Sequence, residues 1–317
     1  MKLNHSHTFF RWIVLSIVLS TFLGGCKAIN QFLVKPMIKP TGDALTLLAE
    51  AHVIPELLTT DDMSAGCAGA EALGGMVSAV GRITEEPLEL QVMLGLAGGG
   101  CEEGRAFEQE LAYLRFIRAQ MPDMAQDALI AQKNHHVRAA KRFYAGWLAL
   151  IEFNDGKEIG GECPDLEQEL DQLVWLAGLL DGLQALNHDI LSGIGTGVPK
   201  NIAAQAERAI GCLDNKKWFG IPLAFKAAVW SLLPGALPEG ENAWERLEQA
   251  DLIGENANIR LTHLVHIIAA YSKGDMERVR TVIKRHAEKI AETPPLLQYR
   301  LLDAAATEGI TRVSDRM

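Results

Sequence analysis

Aromatic residues make up only 6% of this 317-residue chain, and nowhere do β-branched residues alternate with polar ones over the length of a strand. Strands depend on those residue types to fill a pleated surface, so a sandwich or barrel is excluded and an all-α fold is expected. No Cys-x-x-Cys occurs, which removes a zinc knuckle. No Gly-x-Ser-x-Gly elbow and no cysteine–histidine pair at a nucleophile's spacing occurs either, so the chain reads as a binding protein and not an enzyme. Basic charge is short as well: 30 Lys and Arg stand against 40 Asp and Glu, a net charge of −10. A nucleic-acid partner is excluded on that balance.

The N-terminal 25 residues contain no acidic side chain. Lys2 and Arg11 supply positive charge, Trp12 to Leu23 is apolar, and Leu23-Gly24-Gly25-Cys26 follows. The apolar run is too short to span a bilayer. The segment resembles a lipoprotein signal peptide, which implies cleavage before Cys26 and a diacylglycerol on its sulfur. Two or three acyl chains, at about 0.8 kcal/mol per buried methylene, make such attachment effectively permanent. Lys27, in place of Asp, directs the expectation to the periplasmic face of the outer membrane. Residues 1–25 are then the signal peptide, 26–40 a tether stiffened by Pro36 and Pro40, and 41–317 the folded domain.

Leu and Ala dominate that domain in helical spacing. Phe107, Leu111, Leu114 and Ile117 fall on one helical stripe, as do Leu173, Leu176, Leu180 and Leu183. Breakers at Gly98-Gly99-Gly100, Met121-Pro122-Asp123, Asn154-Asp155-Gly156, Gly195 to Pro199, Pro234 to Gly240, Lys273-Gly274-Asp275 and Pro294-Pro295 divide the chain into about ten to twelve helices. Short connections predict antiparallel helix pairs stacked in sequence, an α-solenoid. A degenerate small-x3-apolar-x2-small triplet supports tetratricopeptide-like pairs: Ala139, Phe143 and Gly146, then Ala243, Leu247 and Ala250, with looser copies at Ile202, Ala206, Ala209 and at Val279, Ile283, His286.

Four cysteines remain after Cys26. In an oxidising compartment an even number allows two disulfides in three connectivities, and nearest neighbours, Cys67 with Cys101 and Cys163 with Cys212, are expected. Gly193-Ile194-Gly195-Thr196-Gly197 with Lys200 has neither a preceding strand nor the register of a phosphate loop, and reads as a connection. His263 and His266 share a helix face, but no third ligand has a recognisable offset, so packing is expected and no metal or cofactor. His135-His136 is expected at the surface, because its rings diverge by about 100° on a helix, and Glu102-Glu103 is expected to serve the helix dipole or solvation. Trp175, Trp218 and Trp230 are the candidates for lining a groove midway along the array.

Glu56-Leu57-Leu58-Thr59-Thr60-Asp61-Asp62, Glu86-Pro87-Leu88-Glu89-Leu90, Ala106-Phe107-Glu108-Gln109-Glu110, Ala139-Ala140-Lys141-Arg142-Phe143-Tyr144, Trp175-Leu176-Ala177-Gly178, Leu233-Pro234-Gly235, Gly274-Asp275 and the segment from Leu297 to Thr311 occur in this order. With them the chain resembles the T component associated with TRAP transporters, periplasmic lipoproteins of tetratricopeptide-like helix pairs. The resemblance implies a lipid-anchored adaptor that docks a TRAP-type substrate-binding protein, handles an apolar small ligand, and assembles as a homo-oligomer, a trimer in that family. A general scaffold lipoprotein for envelope assembly, with no transporter, is the alternative.

Overall fold

The computed structural model describes residues 35–81 and 87–317, and no strand occurs among them. Cys26, the cleavage site and most of the expected tether lie outside the described residues. From Lys35 the chain is helical, so the described end of the expected tether, residues 35–40, is part of a helix. This helix, α1 (Lys35–Leu48), carries Pro40 inside it, while Pro36 sits in its first turn, where no intrahelical N–H bond is lost. A π-helical turn, Ala49–Val53, leads into α2 (Ile54–Leu58). Asp62 then caps α3 (Met63–Val80) by accepting hydrogen bonds from the Ser64 and Ala65 amides.

Two long helices, α4 (Leu88–Arg118) and α5 (Pro122–Phe153), form an antiparallel hairpin. At 1.5 Å per residue each is about 45 Å long. The structure corrects the break expected at Gly98-Gly99-Gly100, because α4 runs straight through it. A Cβ on Gly99 would lie 2.5 Å from the Phe143 ring of α5, so the glycine serves close helix contact, not chain reversal. Arg142 seals the same contact by donating to the Gly98 carbonyl at 2.9 Å.

Helix α6 (Glu169–Ser192) packs on both members of the hairpin. Beyond it follow α7 (Ile202–Ala209) with a 3₁₀ turn to Cys212, then α8 (Ile221–Leu232), α9 (Ala243–Asn256), α10 (Leu261–Ser272), α11 (Met276–Glu292) and α12 (Arg300–Asp315). The other expected breakers fall between helices, except that Pro122 and Asp123 open α5. Gly220, ahead of α8 and not among the expected breakers, must be glycine: its φ is +79°, and a Cβ there would stand 2.5 Å from the Ala250 carbonyl oxygen.

The four triplets land on buried faces. Ala139, Phe143, Ile202, Ala206, Ala209, Leu247, Ala250 and Val279 are each at most 1% exposed. The largest core cluster joins α4 to α8 around Trp147, Trp175 and Trp218. Smaller apolar clusters lie between α8 and α10 and among α10, α11 and α12. The last helix returns to the start of the chain: Arg300 pairs with Asp61, and Arg316 holds Glu110 through both guanidinium bonds at 2.8 and 2.9 Å. The last helix thus packs back on α2 and α3.

Cys67 and Cys101 join α3 to α4, and Cys163 and Cys212 tie the loop after α5 to the turn after α7; both pairs stand at disulfide distance, with Cα separations of 5.5 and 5.6 Å. Each closes several dozen residues, so the chain-entropy model assigns about 4 kcal/mol to each.

Candidate functional site

An open cleft of about 570 Å³ lies where the C-terminal end of α8, the loop after it, the start of α9 and the α10–α11 turn meet. Trp230, Leu237 and Trp244 give it apolar walls; Glu241, Asn242, Lys273 and Asp275 line the rest. Local sequence explains each position. Pro234 and Gly235 stop α8 and throw the chain outward, and Asn242 starts α9 by accepting from the Trp244 and Glu245 amides. Trp244 is held by Arg278, with its guanidinium carbon 4.7 Å from the ring centroid, and by His266 stacked at 6.2 Å. The Trp230 indole N–H donates to Glu207 at 2.9 Å. Both acids of the cleft are already engaged: Glu241 with Arg246, and Asp275 with Arg278, and the hydrogen bonds these acids accept hold their carboxyls below the ordinary range. The result is an open recess with two indole walls and a rim of paired acids, Asn242 and Lys273.

Of the three candidate tryptophans, only Trp230 reaches this cleft. Trp175 and Trp218 are each 1% exposed and belong to the core, which corrects the expectation that they line a groove. Their indole N–H groups are spent inside, on the Ala209 carbonyl at 3.1 Å and on Gln172 at 2.9 Å, and Trp218 meets Tyr299 and Phe219 edge to face. Burial and the bond to Glu169 raise the Tyr299 hydroxyl above its ordinary value. Trp244, not singled out from sequence, is the cleft's second indole. Its signal was its place two residues after an Asn cap.

The interior holds two polar lines that spacing did not disclose. One runs between α4, α5 and α6. His136, expected at the surface, is 7% exposed, with its Nδ1 2.9 Å from that of His188; burial, then the neighbouring His188, lowers it to about 4. His188 stacks on Phe143 and has Nε2 3.9 Å from Glu103. Glu102, expected to serve the helix dipole or solvation, is 2% exposed. Burial would raise its carboxyl, but bonds from His135 and Arg138 and the charge of Arg142 hold it low. Two turns away on α6, Asp181 is fully buried and neither oxygen has a partner.

The second line runs through α9 to α12. His263, buried as expected, meets Glu255 at 2.9 Å and His286 at 3.2 Å, and His266 meets Asp251 at 2.7 Å. Burial lowers both His263 and His286 to about 4. Arg260, 1% exposed, donates from its amide, Nε and a terminal nitrogen to both oxygens of Asp303 at 2.8–2.9 Å, and its other nitrogen caps the Lys289 and Thr293 carbonyls at the end of α11. No group of three or more potential metal ligands gathers among the described residues. The Gly193–Gly197 loop is a connection with Thr196 pinned to Asp189 through its amide and hydroxyl, and Lys200 lies beyond it.

Among the described residues no helix is long and apolar enough to cross a membrane. Compared with protein-family models, curated proteins and solved structures, the chain matched nothing.

Proposed function

We propose that this chain is a lipid-anchored periplasmic adaptor of tetratricopeptide-like helix pairs, a short solenoid whose last helix packs back on α2 and α3, that docks a TRAP-type substrate-binding protein. The observation that carries the reading is the cleft bounded by Trp230, Leu237 and Trp244: two braced indoles beside acids already paired present apolar walls to a partner. Two cysteine pairs at disulfide distance fit an oxidising compartment. The lipobox supplies the anchor at Cys26, outer-membrane placement follows from Lys27, and the resemblance supplies the partner, the apolar small ligand and the homo-oligomeric, trimeric state.

Affinity capture from detergent-solubilised membranes, with the full lipidated chain as bait, tests the partner. A TRAP-type substrate-binding protein should be retained, and Trp230→Ala should release most of it while leaving the melting temperature within a few degrees. Capture of envelope-assembly proteins alone would replace this reading by the general scaffold. Capture unchanged in Trp230→Ala would move the docking face away from the cleft.

A further inference from the structure

Among the described residues, Asp181 is a buried acid with neither carboxyl oxygen hydrogen-bonded. It is 0% exposed and lies against Gly95 of α4 and Gly146 of α5. The space that receives it exists only because two facing residues are glycines. A Cβ on Gly146 would stand 1.9 Å from its Oδ2, and one on Gly95 would stand 3.1 Å from the same oxygen and 2.7 Å from the Gly146 Cα. Neighbouring contacts are equally tight, since Gly182 meets Trp147 and Ile202, and Gly178 meets Leu150. Three helices have therefore been brought together around a carboxyl that receives nothing in return. An ionised carboxylate in such a place costs several kcal/mol, so the closed junction admits the neutral acid.

No neighbouring element offsets the charge. The titratable groups on the α4 and α5 faces that meet α6 are engaged elsewhere: Glu103 accepts from Gln184 and lies near His188, and His136 faces His188. Arg142 of α5 is committed to Glu71, Glu102 and the Gly98 carbonyl. From α7, Glu207 and Arg208 turn to Trp230 and the Gly160 carbonyl, and Ile202 is what faces this stretch. Burial is the single cause that raises the Asp181 carboxyl well above 3.8.

We infer that Asp181 is a proton-dependent latch: the α4–α5–α6 junction closes around its neutral carboxyl, and loss of that proton loosens α6 from the hairpin. The sign follows from linkage. A carboxyl raised in the folded state contributes fully below its unfolded value, near 3.8, and its contribution is lost as pH rises from there towards the folded value, tenfold in the closing equilibrium for each pH unit. The latch loosens as pH rises. It would set how firmly the long hairpin is held to the remainder of the molecule, independently of any partner at the Trp230 cleft.

Hydrogen exchange of the mature chain between pH 6 and 8, corrected for intrinsic chemistry, tests this directly. Peptides covering 92–99, 143–150 and 174–188 should open with a constant that rises by up to tenfold per pH unit in the wild type, while peptides covering 261–292 stay level. In Asp181→Ala and Asp181→Asn the rise should vanish. If Asp181→Asn fails to fold, Asp181→Ala carries the comparison, since Ala leaves no unpaired polar group. A level wild-type profile, or a rise of equal slope in the folded variant, would overturn the inference.

Discussion

Asp181 and Asp303 are chemically the same group at nearly the same depth, at 0% and 5% exposure, yet the molecule treats them in opposite ways. In the C-terminal helices Asp303 receives three bonds from Arg260, and the remaining guanidinium nitrogen closes the end of α11. Between the long helices Asp181 receives none and is accommodated by glycines. The first arrangement makes a charge part of the architecture, because each partner compensates the other's desolvation. The second keeps a proton as a structural component. Burial alone thus says nothing about what an acid does; the donors that accompany it decide.

The comparison breaks most sharply at Arg260. Arg260→Ala should destabilise by about 3–5 kcal/mol, because it strips the buried Asp303 carboxylate of both guanidinium bonds, leaving it one backbone amide, and removes the Arg260 donor from the Lys289 and Thr293 carbonyls. Denaturant unfolding at pH 7 measures it, and a loss below 1 kcal/mol would mean that Asp303 finds other partners. A smaller effect is expected at the glycine cradle. Gly146→Ala should cost about 1–3 kcal/mol through overpacking against the Asp181 carboxyl. Shortening the opposing side chain should relieve part of that cost, so the double variant Gly146→Ala/Asp181→Ala should lose less than Gly146→Ala alone. Strict additivity would show that Gly146 clashes instead with Gly95 and the α4 backbone.

Helix periodicity was readable throughout, because apolar residues at steps of three and four fix a buried face whatever the partner. Ala139-Phe143-Gly146 and Ala243-Leu247-Ala250 point inward as their spacing required. The same logic failed at Gly98-Gly99-Gly100. A glycine run breaks an isolated helix, but here the Phe143 ring, more than forty residues away, occupies the space a side chain would need. Tertiary contact overrides local propensity there. Glu102, His136 and Asp181 were illegible for the same reason, since a charged residue on a helix defaults to solvent unless its distant neighbours are known. The tryptophans divided by context: Trp175 and Trp218 fill helix junctions, whereas Trp230, next to a Pro-Gly stop, reaches the cleft.

Asp181→Ala and Asp303→Ala, melted side by side at pH 7, put the contrast to its most direct test. Removing Asp303 strands the buried Arg260 guanidinium and should lower stability by about 3–5 kcal/mol. Removing Asp181 takes away an unpaired polar group in exchange for a small cavity, and should leave stability unchanged or higher, with the gain growing as pH rises. Equal losses in the two variants would contradict the account, because Asp181 would then have a stabilising partner that its surroundings do not provide.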